Sequence, residues 1–181
     1  MIVRPASSAD AGAVAAIYGR HVLHGFGTFE GSPPDADEIA GRIAAVTALG
    51  LPYLIAEEAQ RLIGFAYAAP FRPRVAYRYT AEDSVYVAPD AVGRGVGKAL
   101  LSRVIDACEE LGLRQMMAVI GDGGNAASIG LHRSLGFTPS GVCCSVGFKH
   151  GRWVDTVWMQ RALNAGDRAP PSGPGLRLGG G

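Results

Sequence analysis

The 181 residues carry 48% hydrophobic and 18% charged side chains, a balance that suits one folded domain with a real core and excludes a disordered chain. Lys+Arg 17 against Asp+Glu 16 leaves a net charge of +1, so no global field steers the chain toward nucleic acid or an anionic membrane. Gly 26 and Pro 11 exceed the usual share without a G-X-Y period, which excludes collagen and points to turns, glycine loops and a loose tail. In chain order, Ile2-Val3-Arg4 reads as a short strand stopped by Pro5. Ser7 and Asp10 have capping-box spacing, and Val14, Ile17, Tyr18 and Val22 recur at helical spacing, predicting a helix from about Ala9 to Leu23. The segment 24–32, HGFGTFEGS, is a glycine-rich loop with two phenylalanines, Phe26 and Phe29. Pro33-Pro34-Asp35 opens a second helix with Ile39, Ile43 and Val46 as its buried stripe, ended by Gly50 and Pro52.

A hairpin follows, with strands 53–57 and 62–69 around a turn at 58–61. Phe71-Arg72-Pro73-Arg74 cannot be central strand because prolines at 70 and 73 remove ladder donors; it is a loop with two guanidinium groups and a ring. Asp83–Val87 alternates as a strand. After a glycine loop, Leu100, Leu101, Val104, Ile105, Cys108 and Leu111 line a long helix closed by Gly112. Met116–Ile120 is a buried strand by its apolar run, Asn125 is an N-cap for a helix through about Leu135, and 142–148 with 153–161 form a last hairpin. From Asn164 the chain has almost no apolar mass, so the domain is read as 1–163 and the tail 164–181 as disordered. The order of elements implies an α/β sheet of mixed direction. The three cysteines, Cys108, Cys143 and Cys144, lack zinc spacing and are expected as small buried hydrophobes in a reducing compartment. Trp153 and Trp158 are expected in the core. The start of the chain lacks a signal peptide's pattern, and no apolar run approaches the roughly 18 residues of a membrane span, so a cytoplasmic protein is expected.

The chemistry-bearing stretch is Val92-Gly93-Arg94-Gly95-Val96-Gly97-Lys98, between a strand and a helix. A helix start offers free N–H groups and the positive end of the macrodipole, and glycines let an anion reach the backbone. The Walker pattern G-x-x-x-x-G-K-S/T fails twice, at Val92 and at Ala99, and the dinucleotide pattern G-x-G-x-x-G fails at Lys98 and Leu100. What remains is a cradle for a pyrophosphate without metal; its structural alternative is a tight turn with a solvated Arg and Lys.

The sequence resembles the GNAT superfamily of acyl-CoA-dependent N-acetyltransferases, whose signature is Q/R-x-x-G-x-G/A. More narrowly it resembles the phosphinothricin and methionine sulfoximine/sulfone N-acetyltransferases. The matching stretches are 71–74, 80–87, 93–97, 118–121, 125–132, 147–149 and 151–153. Val92 departs from the leading Gln/Arg of the signature, and Cys144 stands where relatives often carry Arg. The resemblance implies a mostly antiparallel seven-stranded sheet with helices on both faces, splayed between its fourth and fifth strands. It implies acetyl-CoA as co-substrate with no metal. Val85, Tyr86 and Val87 would run along the pantetheine, with a backbone N–H near Val87 facing the reacting carbonyl. The backbone of Gly93, Arg94, Gly95, Val96, Gly97 and Lys98 would hold the pyrophosphate, and Asn125 the CoA arm. Glu82 is the expected base, with Asp83 its alternative. His132 is the expected acid, weighed evenly against a buried core histidine, with Tyr86 behind it. Arg72 and Arg74 would clamp the acceptor's acidic group, with Phe71, Pro73 and Tyr77 as walls and Arg78 in reserve. Phe26, Phe29 and Glu30 could close over the acceptor, and His150 and Arg152 could meet it or a partner subunit. The implied reaction is direct acetyl transfer to the α-amino group of a small amino acid analogue, by a homodimer serving detoxification. The alternatives are a protein N-terminus, polyamine or aminoglycoside as acceptor, or a non-catalytic acyl-CoA-binding module.

Overall fold

Local signals set most element boundaries in the computed structural model, which describes residues 1–178. The last three positions of the expected tail, 179–181, lie outside the described residues. Strand β1 (Ile2–Pro5) precedes helix α1 (Ala11–His24). The first turn of the expected helix, Ser8–Asp10, is 3-10, because Asp10 folds back to accept from the Ser7 N–H at 2.8 Å. Helix α2 (Ala36–Ala48) begins where Asp35 accepts from the Glu38 N–H. Strands β2 (Tyr53–Glu58) and β3 (Arg61–Pro70) form the first hairpin. Strand β4 (Thr80–Val87), helix α3 (Val96–Glu110), strand β5 (Gln115–Gly121) and helix α4 (Ala126–Ser134) make the crossover region. Strands β6 (Thr138–Lys149) and β7 (Arg152–Ala162) close the sheet.

The sheet has seven strands in the order β1-β2-β3-β4-β5-β7-β6. Every neighbouring pair is antiparallel except β4 and β5. That parallel pair holds only from Thr80↔Gln115 to Glu82↔Met117. Beyond it β4 stays paired to β3 as far as Val87, and β5 stays paired to β7 as far as Gly121. The two central strands therefore part after Glu82, which is the expected splay. Strand β4 starts three residues earlier than its alternation predicts, since Thr80–Glu82 are fixed by pairing with β5 and not by a period-two pattern of their own.

Helices cover both faces. Tyr18 of α1 meets the Phe65 and Tyr86 rings edge-on, which places α1 on the Phe65 face of β3. On the opposite face Gly64 lies against Val96 and Leu100 of α3. Leu100, Leu101, Val104, Ile105 and Cys108 are buried as the stripe predicts, but Leu111 falls past the helix end and is 43% exposed. Two further expectations are corrected. Cys143 and Cys144 are exposed, because β6 is the outer strand of the sheet and the loop that reaches it, through Phe29 at Gly147 and Thr28 at Lys149, lies beyond them. Trp153 is 63% exposed and stacks edge-on with Phe148 at the hairpin end instead of entering the core. Composition predicts disorder for 164–181, yet 164–178 lies along the fold, with Leu176 buried in the core and Arg114, Arg78 and Tyr79 bonded to its backbone. Backbone carbonyls and one leucine do this work, and composition does not register them. Among the described residues no helix is long and apolar enough to cross a membrane.

Candidate active site

The parting of β4 from β5 opens a cavity of about 1000 Å³. Its walls come from β4 (82–87), the glycine loop (Val92, Gly93 and 95–98), β5 (118–121), Asn125 at the cap of α4, Ser128 and His132 along that helix, and the loop 25–29. A strand's period of two separates β4 into two faces. Tyr86 meets Tyr18 and His21 of α1, so Glu82, Ser84 and Tyr86 face that side. Val85 and Val87 lie against Gly97 of α3, so Asp83, Val85 and Val87 face the other.

The α3 end of the cavity is built to hold an anion. The first intrahelical bond at this end runs from the Ala99 N–H to the Gly95 carbonyl, and no side chain caps the helix. The N–H groups of Val96, Gly97 and Lys98 thus lack helical partners and sit on the cavity wall. Gly93 at φ 79° and Gly95 at φ 81° turn the chain into the helix, and open space lies where a Cβ would stand at each. A Gly95→Ala variant would force a side chain into left-handed backbone and into that open space. Calorimetry should show CoA affinity roughly tenfold lower, since the strain alone is on the order of 1–2 kcal/mol. Lys98 lines the cavity, but the Arg94 side chain turns away to pair with Glu58, and Arg94, alone of the expected cradle residues, does not line the cavity. Val92 is 60% exposed on the rim. Asn125 caps α4 through Oδ1, which accepts from the Ser128 N–H at 3.1 Å.

Strand β4 offers backbone donors to the gap. The Ala88 N–H donates to the Ile63 carbonyl on the β3 side. Alternation then points the Val87 N–H to the other edge, where β5 has left. His21 Nε2 lies 3.0 Å from the Val87 carbonyl oxygen.

Two titratable centres flank the gap. Glu82 is half-buried on the cavity wall; burial pushes its carboxyl up, Arg72 pulls it down, Asp83 adds to the rise, and the balance is a raised pKa. His132 is 3% exposed. Its Nδ1 lies 2.7 Å from the Ser128 carbonyl and its Nε2 3.0 Å from Asp83 Oδ2. Both partners accept, so the ring and Asp83 share a proton beyond that of a neutral imidazole and an ionised carboxylate. Burial lowers the His132 pKa, but the hydrogen bond and charge of Asp83 outweigh it and the pKa is raised. Asp83 Oδ1 is buried with no partner. The structure thus places His132 both on the cavity wall and in a buried, hydrogen-bonded pair. Tyr86 also lines the cavity; burial raises its hydroxyl well above its ordinary value, so it stays protonated.

The expected acceptor clamp sits beside the cavity and not on its wall. Arg72 stacks over Phe71 at 4.4 Å and over Trp158 at 5.6 Å, and Tyr77 meets Phe71 edge-on. Trp158 lines the cavity, as does Glu82, so the two connect the loop 71–79 to it. Arg72, Pro73, Arg74, Tyr77 and Arg78 are exposed. Trp158 is a cavity residue that sequence reasoning assigned to the core. The signal that could have found it is its position two residues from Thr156 on β7, which puts both on one face.

The sequence offered Phe26, Phe29 and Glu30 as a closing loop, but not the contacts that hold it. The loop 25–30 is strapped over the cavity mouth from several directions. Lys149, buried at the far hairpin, donates to the Thr28 carbonyl at 2.7 Å. Thr28 and Glu30 both bond the Tyr18 hydroxyl, and Arg42 pairs with Glu30 at 2.7 Å. Arg152 lies over the Phe26 ring at 3.9 Å and His150 meets its edge, so both residues act on this loop. At Gly121 an added Cβ would lie 1.9 Å from the Phe26 carbonyl oxygen. A Gly121→Ala variant should displace the loop and lose roughly 1–3 kcal/mol of stability, read as a lower Tm.

Comparison with known proteins matches this geometry. The Acetyltransferase (GNAT) family pattern fits residues 23–137. Phosphinothricin N-acetyltransferase of Alcaligenes faecalis is 54% identical over 169 residues, covering 93% of this chain and 86% of that one. The L-methionine sulfoximine/L-methionine sulfone acetyltransferase of Salmonella typhimurium is 41% identical, covering 91% and 95%. Among solved structures, a GNAT superfamily phosphinothricin acetyltransferase from Sinorhizobium meliloti in complex with AcCoA superposes with a TM-score of 0.91 at 47% identity, covering 94% of this chain and 92% of that one. The chain belongs to the GNAT family of N-acetyltransferases.

Proposed function

We propose that the enzyme transfers the acetyl group of acetyl-CoA directly to the α-amino group of a small amino acid analogue of the phosphinothricin, methionine sulfoximine or methionine sulfone kind. The observation that carries this reading is the half-buried Glu82 carboxyl on the cavity wall, beside Arg72, where the central strands part. The uncapped N–H groups of Val96, Gly97 and Lys98 fit a pyrophosphate, and the open edge of β4 fits an extended pantetheine. Bound there, acetyl-CoA supplies an activated acyl carbonyl. Glu82 takes the proton of the incoming ammonium, which frees the lone pair. The Val87 N–H meets the negative charge that develops on the carbonyl oxygen. The Tyr86 hydroxyl, kept protonated by burial, supplies the proton for the departing thiolate, while His132, the other expected acid, has both ring nitrogens engaged by Asp83 and the Ser128 carbonyl and positions that wall of the cavity. Arg72 and Arg74 take the acceptor's acidic group, against Phe71, Pro73 and Tyr77.

The reading includes a cytoplasmic, detoxifying homodimer. The three free cysteines suit a reducing compartment. The outer strand β6 presents an unpaired edge, and Val142, Phe148 and Trp153 are exposed around it. Val142→Arg is expected to convert a dimeric particle to a monomer in sedimentation velocity.

The test of the acceptor is steady-state turnover across a panel of amines, read by thiol release. Activity should concentrate on the amino acid analogues over a peptide N-terminus, a polyamine and an aminoglycoside. Normal acetyl-CoA binding with no turnover of the analogues would overturn the acceptor assignment.

A further inference from the structure

We propose that the C-terminal segment 164–178 is a positioning strap for the acceptor-selecting loop 71–79, a proposal that rests on the loop's assignment above. The loop has little of its own to hold it. Seven of its residues, 72–78, are exposed. Its own bonds are the turn contacts Tyr77 N–H to Arg74 carbonyl and Arg78 N–H to Val75 carbonyl and the local Arg72 Nη1 to Phe71 carbonyl, with the Phe71 N–H to the Thr80 carbonyl at its base. Its first leg is anchored at the cavity by Phe71 and Arg72 against Trp158.

The second leg is anchored by the strap. The Leu176 N–H donates to the Arg78 carbonyl at 2.8 Å. The Tyr79 hydroxyl donates to the Gly173 carbonyl at 2.7 Å. Gly175, at φ 70°, lies so close to the Arg78 carbonyl and the Tyr79 ring that a Cβ would be 2.8 Å from the former and 2.9 Å from the latter. Leu176 is 6% exposed within the core, so the strap is pinned where it grips. Its near end is tied separately: Arg114 Nε donates to the Gly166 carbonyl at 2.7 Å, and Asn164 Nδ2 donates to the Glu109 and Leu113 carbonyls. Arg114 also donates its own N–H to the Tyr79 carbonyl, so one residue joins strap and loop base. None of these residues lines the cavity. The strap therefore acts on the acceptor only through the loop, and leaves the cradle at α3 alone.

The experiment compares the full chain, a chain ending at Leu163, and the milder Tyr79→Phe, which removes one strap bond without shortening the protein. With the best acceptor of the panel, the truncated enzyme should show an acceptor KM raised roughly tenfold, about one or two hydrogen bonds of positioning, with the acetyl-CoA KM unchanged and kcat retained at saturation. Tyr79→Phe should move the same constant in the same direction by a smaller factor. Hydrogen exchange of the loop amides 72–78 should quicken in both variants while amides of α3 keep their protection. Unchanged loop exchange, or both KM values rising together with a fall in Tm, would overturn the strap. If the truncated chain does not fold, Tyr79→Phe decides by the same two readouts. If no amine is turned over, the acceptor reading fails, and the exchange measurement alone still decides the strap.

Discussion

Glu82→Gln lowers kcat at neutral pH by roughly 10²–10⁴-fold, the range for losing a general base, while calorimetry shows acetyl-CoA binding unchanged. Glu82 lies on β4, apart from the uncapped start of α3, so on the proposed reading the two readouts separate. In the parent, activity depends on the ionised carboxylate. Burial has raised its pKa above the ordinary 4.5, so activity falls on acidification sooner than it would with a solvated glutamate. The sign for stability is the reverse of a salt-bridged acid. A carboxyl whose folded pKa is raised opposes folding once it ionises, so the uncharged Gln variant does not lose Tm at neutral pH. A variant that is inactive because it is unfolded would show the opposite. Equal turnover in Glu82→Gln and parent would remove Glu82 from the mechanism and return the role to Asp83.

His132→Leu destabilises the fold by roughly 3–5 kcal/mol, the cost of leaving a buried charge without its partner. Asp83 has a side chain 1% exposed and one oxygen already unpartnered, so deleting the imidazole strands the second oxygen as well. For a chain of this length the shift in Tm is on the order of 10 °C. Asp83→Asn should cost far less. Its amide donates to His132 Nε2, and a neutral ring still donates from Nδ1 to the Ser128 carbonyl, so the bonds of the pair are kept and no buried charge is left. The pH dependence follows from the raised His132 pKa. The unfolded chain gives up this proton first, so the pair's stabilisation is complete below about pH 6.5 and fades as pH rises through the folded value. Both variants lack that slope in Tm against pH. A parent whose Tm is flat across the same interval, with an undiminished Tm in His132→Leu, would sink the charged pair.

Much of the architecture was readable because its signals are local. The glycine loop sits between a strand and a helix within seven residues, and the α3 stripe and Asn125 cap lie in single turns. Glu82, Tyr86 and Asn125 came from motifs of the same short range, and all three line the cavity. What escaped depends on contacts distant in the chain. Lys149 reaches Thr28 across 121 positions, and Tyr79 reaches Gly173 across 94. The contacts of 164–178 fall outside a reading of apolar mass, because they run through backbone carbonyls that every residue carries. Cys143, Cys144 and Trp153 were misplaced because hydrophobicity predicts burial only where something lies on top, and β6 is the last strand. Asp83 was weighed only as a substitute base. Its partnership with His132 joins residues 49 apart, and no spacing announces it.

The alternation along β4 carries a consequence for how two reagents share one site. Glu82 and Asp83 are adjacent in the chain yet look out of opposite sides of the sheet, and the slot between β4 and β5 is where the sides communicate. On the proposed reading the nucleotide carrier would dock from one side and the amine from the other, with neither blocking the other's doorway. A molecule that covalently joins the two must be drawn through that slot like a cord through an eyelet, and its grip should grow with the length that matches the thickness of a single sheet.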